Sequence, residues 1–146
     1  MATGDVTFFD EALAEMLDGG WESTDTIKCA IVDNTTAPTE GLATPALSDF
    51  TEVGTGGTYT AGGTSLGTWG DFISESGGTV TFDSATNPSW AQDASNDTDA
   101  YWGIIHNDTQ GDYAIGYVEL GGPVDMSAGA LTITWNASGV ATLTKA

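Results

Sequence analysis

The sequence predicts a mainly β domain: an antiparallel β-sandwich or barrel with one N-terminal α-helix packed on it. Three observations carry this expectation. Apolar residues alternate with period two in several segments after Gly20. Thr is abundant and Gly, at 20 residues, is spread without a collagen-like period, which suits many short strands joined by turns. Only one stretch has helical periodicity, and it precedes the strands, as expected for a helix laid on a β body. The chain has 146 residues, read as one domain over 1–146, with 1–6 as a possible extended arm, 7–18 as the helix and 24–145 as the β-rich body.

The helix is expected in "VTFFDEALAEMLDGG". Thr7 is placed as its cap, with Asp10 three residues later as in a capping box. Phe9, Leu13, Met16 and Leu17 follow the i, i+4, i+7, i+8 spacing and form one apolar stripe. The stripe needs a sheet or another chain to cover it, and core packing is the preferred reading. Asp10 and Glu11 fall at the positive end of the helix dipole, and Gly19-Gly20 end the helix. In "TIKCAIV", Ile27, Cys29 and Ile31 share a face. Residues 35–57 read as a long excursion with one helical turn near Leu47. "GGTVTFDS" alternates cleanly. "AYWGIIH" and "YAIGYVEL" are apolar on both faces and are expected as central strands, joined by the hairpin signal "NDTQGD". "ALTITWNASGVATLTK" reads as strand, turn, strand, with Asn136 to Gly139 as the turn.

Charge excludes several classes of partner. There are 21 acidic residues against Lys28 and Lys145, no arginine, and a formal net charge of -19. Nucleic acid and anionic membrane both require cations that this chain lacks, so no direct nucleic-acid or membrane partner is expected. Such acidity suits a solubilising surface or a salty medium, in which added salt raises the melting temperature. Cys29 is the only cysteine, so an internal disulfide is impossible, and its strand context predicts a buried thiol. No apolar run reaches membrane-spanning length, and nothing at the N-terminus directs export. The triplet Asn107-Asp108-Thr109 matches a glycosylation acceptor by chance in so Thr-rich a chain.

Few residues point to chemistry. Residues 54–70, "GTGGTYTAGGTSLGTWG", hold seven glycines and five threonines. A P-loop needs Gly-Lys-Ser/Thr, and no lysine lies between Lys28 and Lys145. A dinucleotide fingerprint needs a βαβ unit, so these glycines are read as turns flanking short strands. His106 is the only histidine and ends an apolar strand, where a hydrogen-bonded structural imidazole is expected. No serine lies in a nucleophile elbow. A zinc site would have to draw on this His, this Cys and carboxylates, a poor set for that ion. Carboxylate pairs for glycoside cleavage arise by chance among 21 acids. In "DASNDTDAY", the alternating Asp93, Ser95, Asp97 and Asp99 resemble the first half of a calcium loop. Thr98 and Ile104 stand where an EF-hand needs Gly and Glu, so a solvated acidic loop is expected, with Asp93, Asp97 and Asp99 as calcium candidates. Trp69, Trp90 and Trp102 could stack on sugars if exposed, and packing is the commoner fate of such residues. No catalytic residue and no cofactor is assigned.

Taken in order, "FDEALAEML", "DTIKCAIVD", "GTYTAGGTSL", "VTFDSATNPSW", "AYWGIIHND" and "AGALTITWNASGVATLTK" resemble a family of small structural proteins of tailed bacteriophages. The stretches span residues 7 to 145, and "YTAGG" with "LTITWNASGV" is the most telling combination. The resemblance implies a non-enzymatic, β-rich virion protein, either a capsid decoration protein or another head or tail accessory. A cement protein on the outer surface of the capsid would bind the major capsid protein, with a homotrimer implied by analogy. Thr3, Asp5 and Val6 are the capsid-contact candidates, because Met1 to Val6 could add to a partner's strand by β-augmentation. A tail or fibre module binding host-surface glycans is the alternative, and a glycan-active enzyme comes third.

Overall fold

A computed structural model describes residues 2–144. Among these residues, eleven strands form three sheets that are not closed into a barrel, and the fold is a β-sandwich with a helix on its outer face. The largest sheet has five strands in the order β2 (Thr7–Phe8), β9 (Tyr113–Val124), β8 (Ala100–Asn107), β3 (Thr26–Val32) and β4 (Thr64–Thr68). A three-stranded sheet joins β1 (Ala2–Gly4), β10 (Leu131–Trp135) and β7 (Ser89–Trp90). A second joins β11 (Ala141–Thr144), β6 (Thr79–Phe82) and β5 (Ile73–Ser76). All pairs are antiparallel except β1 with β10.

Alternation, shifted by bulges within β3 and β8, builds two cores. On one face of the five-stranded sheet, Ile27, Cys29 and Ile31 pack with Ile105, Ile115 and Val118, and with Trp90, Leu131, Ile133 and Phe82 of the smaller sheets. On the other face, Ala30, Val32, Ile104 and Ala114 meet Phe9 and Ala12 of the helical segment, together with Leu47 and Phe50. Strands β8 and β9 are interior strands of this sheet, as their two-faced apolarity predicts. Within β8, Gly103 leaves room for Val118 and Ile133, whose methyl carbons lie 2.8 and 2.9 Å from where a Cβ would sit.

The helix α1 spans Asp10–Leu17, not 7–18. Thr7 does not cap it. Thr7 and Phe8 pair with Tyr117 and Gly116 as β2, and Phe9 takes the N-cap position without a side-chain bond. The acidic first turn is as expected, and Glu11 accepts a hydrogen bond from the Thr44 amide (2.6 Å). Gly19 follows with φ +83, the left-handed residue that ends such helices. Core packing covers only part of the stripe. Phe9 is fully buried and Met16 packs partly on the core, but Leu13 and Leu17 are 43% and 77% exposed.

The excursion after β3 contains one 3₁₀ turn, Leu47–Asp49, closed by the Ala46 amide donating to Asp49 (2.9 Å). The Gly/Thr-rich stretch resolves into turns around β4, plus one short helical turn, α2 (Trp69–Phe72), that the sequence reading missed. Thr68 caps α2: its hydroxyl donates to Asp71 (2.8 Å) and accepts from the Asp71 amide (3.3 Å). Gly63 has φ +76, and a Cβ there would fall inside the Cys29 carbonyl. At this position the glycine permits close approach of two backbones. The C-terminal strand-turn-strand is present, but its strands join different sheets, β10 with β1 and β7, β11 with β6.

Candidate functional site

The most polar constellation lies at the turn end of the β8–β9 hairpin. His106 and Asn107 end β8 with both side chains fully buried. His106 Nε2 lies 3.0 Å from the Gly62 carbonyl, an obligate acceptor, so Nε2 carries the hydrogen and donates it. His106 Nδ1 is buried, has no hydrogen-bond partner, and sits 3.1 Å from Asp112 Oδ1 in a geometry unsuited to a hydrogen bond. Asp112 occupies the hairpin turn with φ +59. Asp108 takes a 2.8 Å ion pair from Lys28 Nζ, whose strand lies beside β8. The ligand-capable atoms of His106, Asp108 and Asp112 lie within 4.8 Å of one another. Cys29 is not part of this group. It is enclosed in the core, where burial pushes its thiol far up.

Beneath the hairpin, Asp25 is buried and gathers three donors on Oδ2: Asn107 Nδ2 (3.0 Å), Gln110 Nε2 (3.0 Å) and the Glu22 amide (3.1 Å). Burial raises its carboxyl, but these bonds outweigh that and hold it below the usual carboxylate value. Asn107 Oδ1 accepts from the Thr109 and Gln110 amides (both 3.1 Å) and shapes the turn. Together these contacts tie the hairpin end to the buried Asp25.

The calcium candidates behave differently. Asp93 accepts from the Ser95 amide (2.8 Å), and Asp97 accepts from the amides of Gly54 (2.8 Å) and Thr98 (2.9 Å). Those amide bonds, that of Gly54 foremost, hold the Asp97 carboxyl down. Desolvation and the nearby charges of Asp97 and Asp33 push Asp99 up. Among the described residues, Asp93, Asp97 and Asp99 do not converge as a metal-ligating group; the alternation serves the loop's own turns. The loop is mostly exposed as expected, but Asn96 is buried and anchors it, donating to the carbonyls of Ala91 (2.9 Å) and Met126 (3.3 Å).

The N-terminal contact candidates are engaged within the chain. Ala2, Thr3 and Gly4 run beside Ile133, Thr134 and Trp135 as β1, so this segment is a strand of its own sheet rather than a free arm or a frayed end. Met1 lies outside the described residues. Val6 packs partly on the core, and Asp5 is exposed. Trp69 and Trp90, 7% and 5% exposed, are core residues and offer no sugar platform. Trp102 is half-buried, T-stacked on Tyr117 (centroids 5.9 Å apart), and lines a cleft of about 460 Å³ with Asp5, Thr7, Pro38 and Glu119. No helix among the described residues is long and apolar enough to cross a membrane.

Sequence reasoning missed Asp108 and Asp112 as companions of His106. The signal was the run "HNDTQGD", in which a tight hairpin returns the last Asp to the first His. Comparison of the chain with protein-family models, with curated proteins and with solved structures gives no match.

Proposed function

We propose that this protein is a non-enzymatic capsid decoration protein on the outer surface of a tailed-phage head, where trimers bridge neighbouring subunits of the major capsid protein. The carrying observation is the apolar edge of α1. Leu13 and Leu17, one helical turn apart, stand exposed on a molecule of net charge -19. On so charged a surface, adjacent exposed leucines favour a protein contact. The negative charge favours the outside of the shell, away from packaged DNA. The ordered resemblance to phage virion proteins supports the same reading, as does the gain in avidity when several weak contacts act in one trimer. Asp5 is exposed and remains a contact candidate.

Immunogold electron microscopy of intact virions, with antibody to this chain, tests the proposal. Label spread evenly over the head supports decoration; label confined to the tail overturns it. The Trp102–Tyr117 cleft, flanked by the carboxylates of Asp5 and Glu119, favours a second reading as a tail or fibre module that stacks on host glycans. Quenching of tryptophan fluorescence by sugars, lost in Trp102→Ala, would favour that reading.

A further inference from the structure

We propose that His106, Asp108 and Asp112 form a binding site for a zinc-class divalent cation at the end of the β8–β9 hairpin. His106 Nε2 donates to the Gly62 carbonyl, which leaves Nδ1 of the neutral ring with a bare lone pair. That nitrogen is fully buried and faces a carboxylate oxygen 3.1 Å away, so two acceptors abut with no hydrogen aligned between them. Such an arrangement is costly unless something positive joins them. A metal ion does so naturally. Bonds of about 2.0–2.2 Å from one ion to an imidazole nitrogen and a carboxylate oxygen, at ligand–metal–ligand angles of about 90–110°, leave those two atoms roughly 2.8–3.5 Å apart, with the oxygen off the axis of the nitrogen lone pair. The observed 3.1 Å falls in that range.

The surroundings complete a metal site in the usual way. A ligating histidine almost always donates its other N–H to a carbonyl or carboxylate, which fixes the ring and its tautomer; here the Gly62 carbonyl does this. A ligating carboxylate is itself held by a hydrogen bond, and Lys28 holds one oxygen of Asp108 while the second remains to be offered. The imidazole selects the ion. Calcium and magnesium prefer all-oxygen shells, whereas an imidazole nitrogen suits zinc and its neighbours in the transition series. The set that looks poor for zinc in the sequence is revised here, because the fold brings the histidine and two carboxylates together without the cysteine. Asp108 and Asp112 are about one-third to one-half exposed, so an ion can enter from solvent and complete its coordination with water. The inference is independent of the capsid reading.

The single histidine makes the test unambiguous. Untagged, ¹⁵N-labelled protein is titrated with zinc chloride at neutral pH, with millimolar magnesium present to occupy the diffuse acidic surface. The long-range ¹H–¹⁵N spectrum of the imidazole is read at each step. The expected result is movement of the His106 Nδ1 resonance that saturates at one equivalent, together with a rise of several degrees in melting temperature under excess zinc. Asp112→Asn should weaken binding at least tenfold, and Asp108→Asn should do likewise. Asn tolerates the positive φ at position 112, so the variant keeps its fold, which the same spectrum verifies. An Nδ1 resonance unmoved by zinc, or wild-type affinity in either variant, overturns the site. So does a spectrum showing both ring nitrogens protonated before metal is added, because a proton would then already join His106 to Asp112.

Discussion

Replacing Asp25 with Ala should cost the fold about 2–4 kcal/mol at neutral pH, and the structure says where that cost arises. Three donors converge on one carboxylate oxygen. Glu22 and Gln110 are exposed and can turn to water when the carboxylate is removed. Asn107 is fully buried and cannot. Its amide loses a bond to a charged acceptor, about 1.5–3 kcal/mol, and is left with an unsatisfied buried donor at about 1–3 kcal/mol, two descriptions that overlap in part. For a chain of this length each kcal/mol shifts the melting temperature by roughly 3 °C, so Asp25→Ala should melt about 6–12 °C lower. Asp25→Asn keeps shape and an acceptor and should lose about half as much. Differential scanning calorimetry across pH supplies a second signature. The folded carboxyl titrates below its ordinary value of 3.8, so the unfolded chain takes up its proton first as pH falls. The charge-dependent part of Asp25's contribution is therefore complete well above pH 4 and fades as pH drops through the lower, folded value. The gap between wild type and Asp25→Asn should narrow below about pH 4. A melting temperature lowered by less than 2 °C in Asp25→Ala, or an Asp25→Asn gap that stays constant from pH 7 to pH 3, would refute this reasoning.

Three further outcomes are expected. Gly63→Ala must force β4 away from β3, because φ is +76 and the new Cβ collides with the Cys29 carbonyl; urea denaturation should show a loss of about 3 kcal/mol or more. The Cys29 thiol, buried and held protonated, should react with a thiol reagent in native buffer only at the rate of unfolding, and at once in denaturant; rapid labelling of the native protein would contradict its burial. With a net charge of -19, raising sodium chloride from about 0.05 to 1 M should raise the melting temperature through screening, and a flat response would show that self-repulsion is negligible in the folded state.

How much could be read in advance depended on whether the deciding contact was local. β3 was legible because Ile27, Cys29 and Ile31 differ visibly from Lys28, and the alternation alone assigns faces. The β8–β9 hairpin was legible because two apolar runs flank a polar turn. The start of α1 was not. A hydroxyl at Thr7 is a good cap in isolation, but pairing of Thr7 with Tyr117, far along the chain, draws it into a strand. The Asp93–Asp99 alternation reflects local turns: the Ser95 amide donates to Asp93, and the Gly54 and Thr98 amides donate to Asp97. Whether Trp69 and Trp90 are core or surface is a property of the assembled sandwich, which no local pattern encodes. The His106 group lay between these cases. Its residues are close in sequence, but the backbone conformation of Asp112 decides whether the carboxylate reaches the ring.

The parallel pairing of β1 with β10 has a consequence for how the protein is made. Ala2 lies beside Ile133, so β1 is paired with a strand about 130 residues further along the chain. At roughly 5–20 residues per second, the N-terminal strand waits on the order of ten seconds for its partner to be synthesised. Its backbone donors and acceptors are unpaired throughout that interval, and the sheet cannot close until β10 has cleared the exit tunnel. The pairing of β1 therefore forms only after residues 131–135 have emerged. A nascent chain stalled before residue 131 should be cut readily by protease around Ala2–Gly4, and a released chain that includes β10 should not.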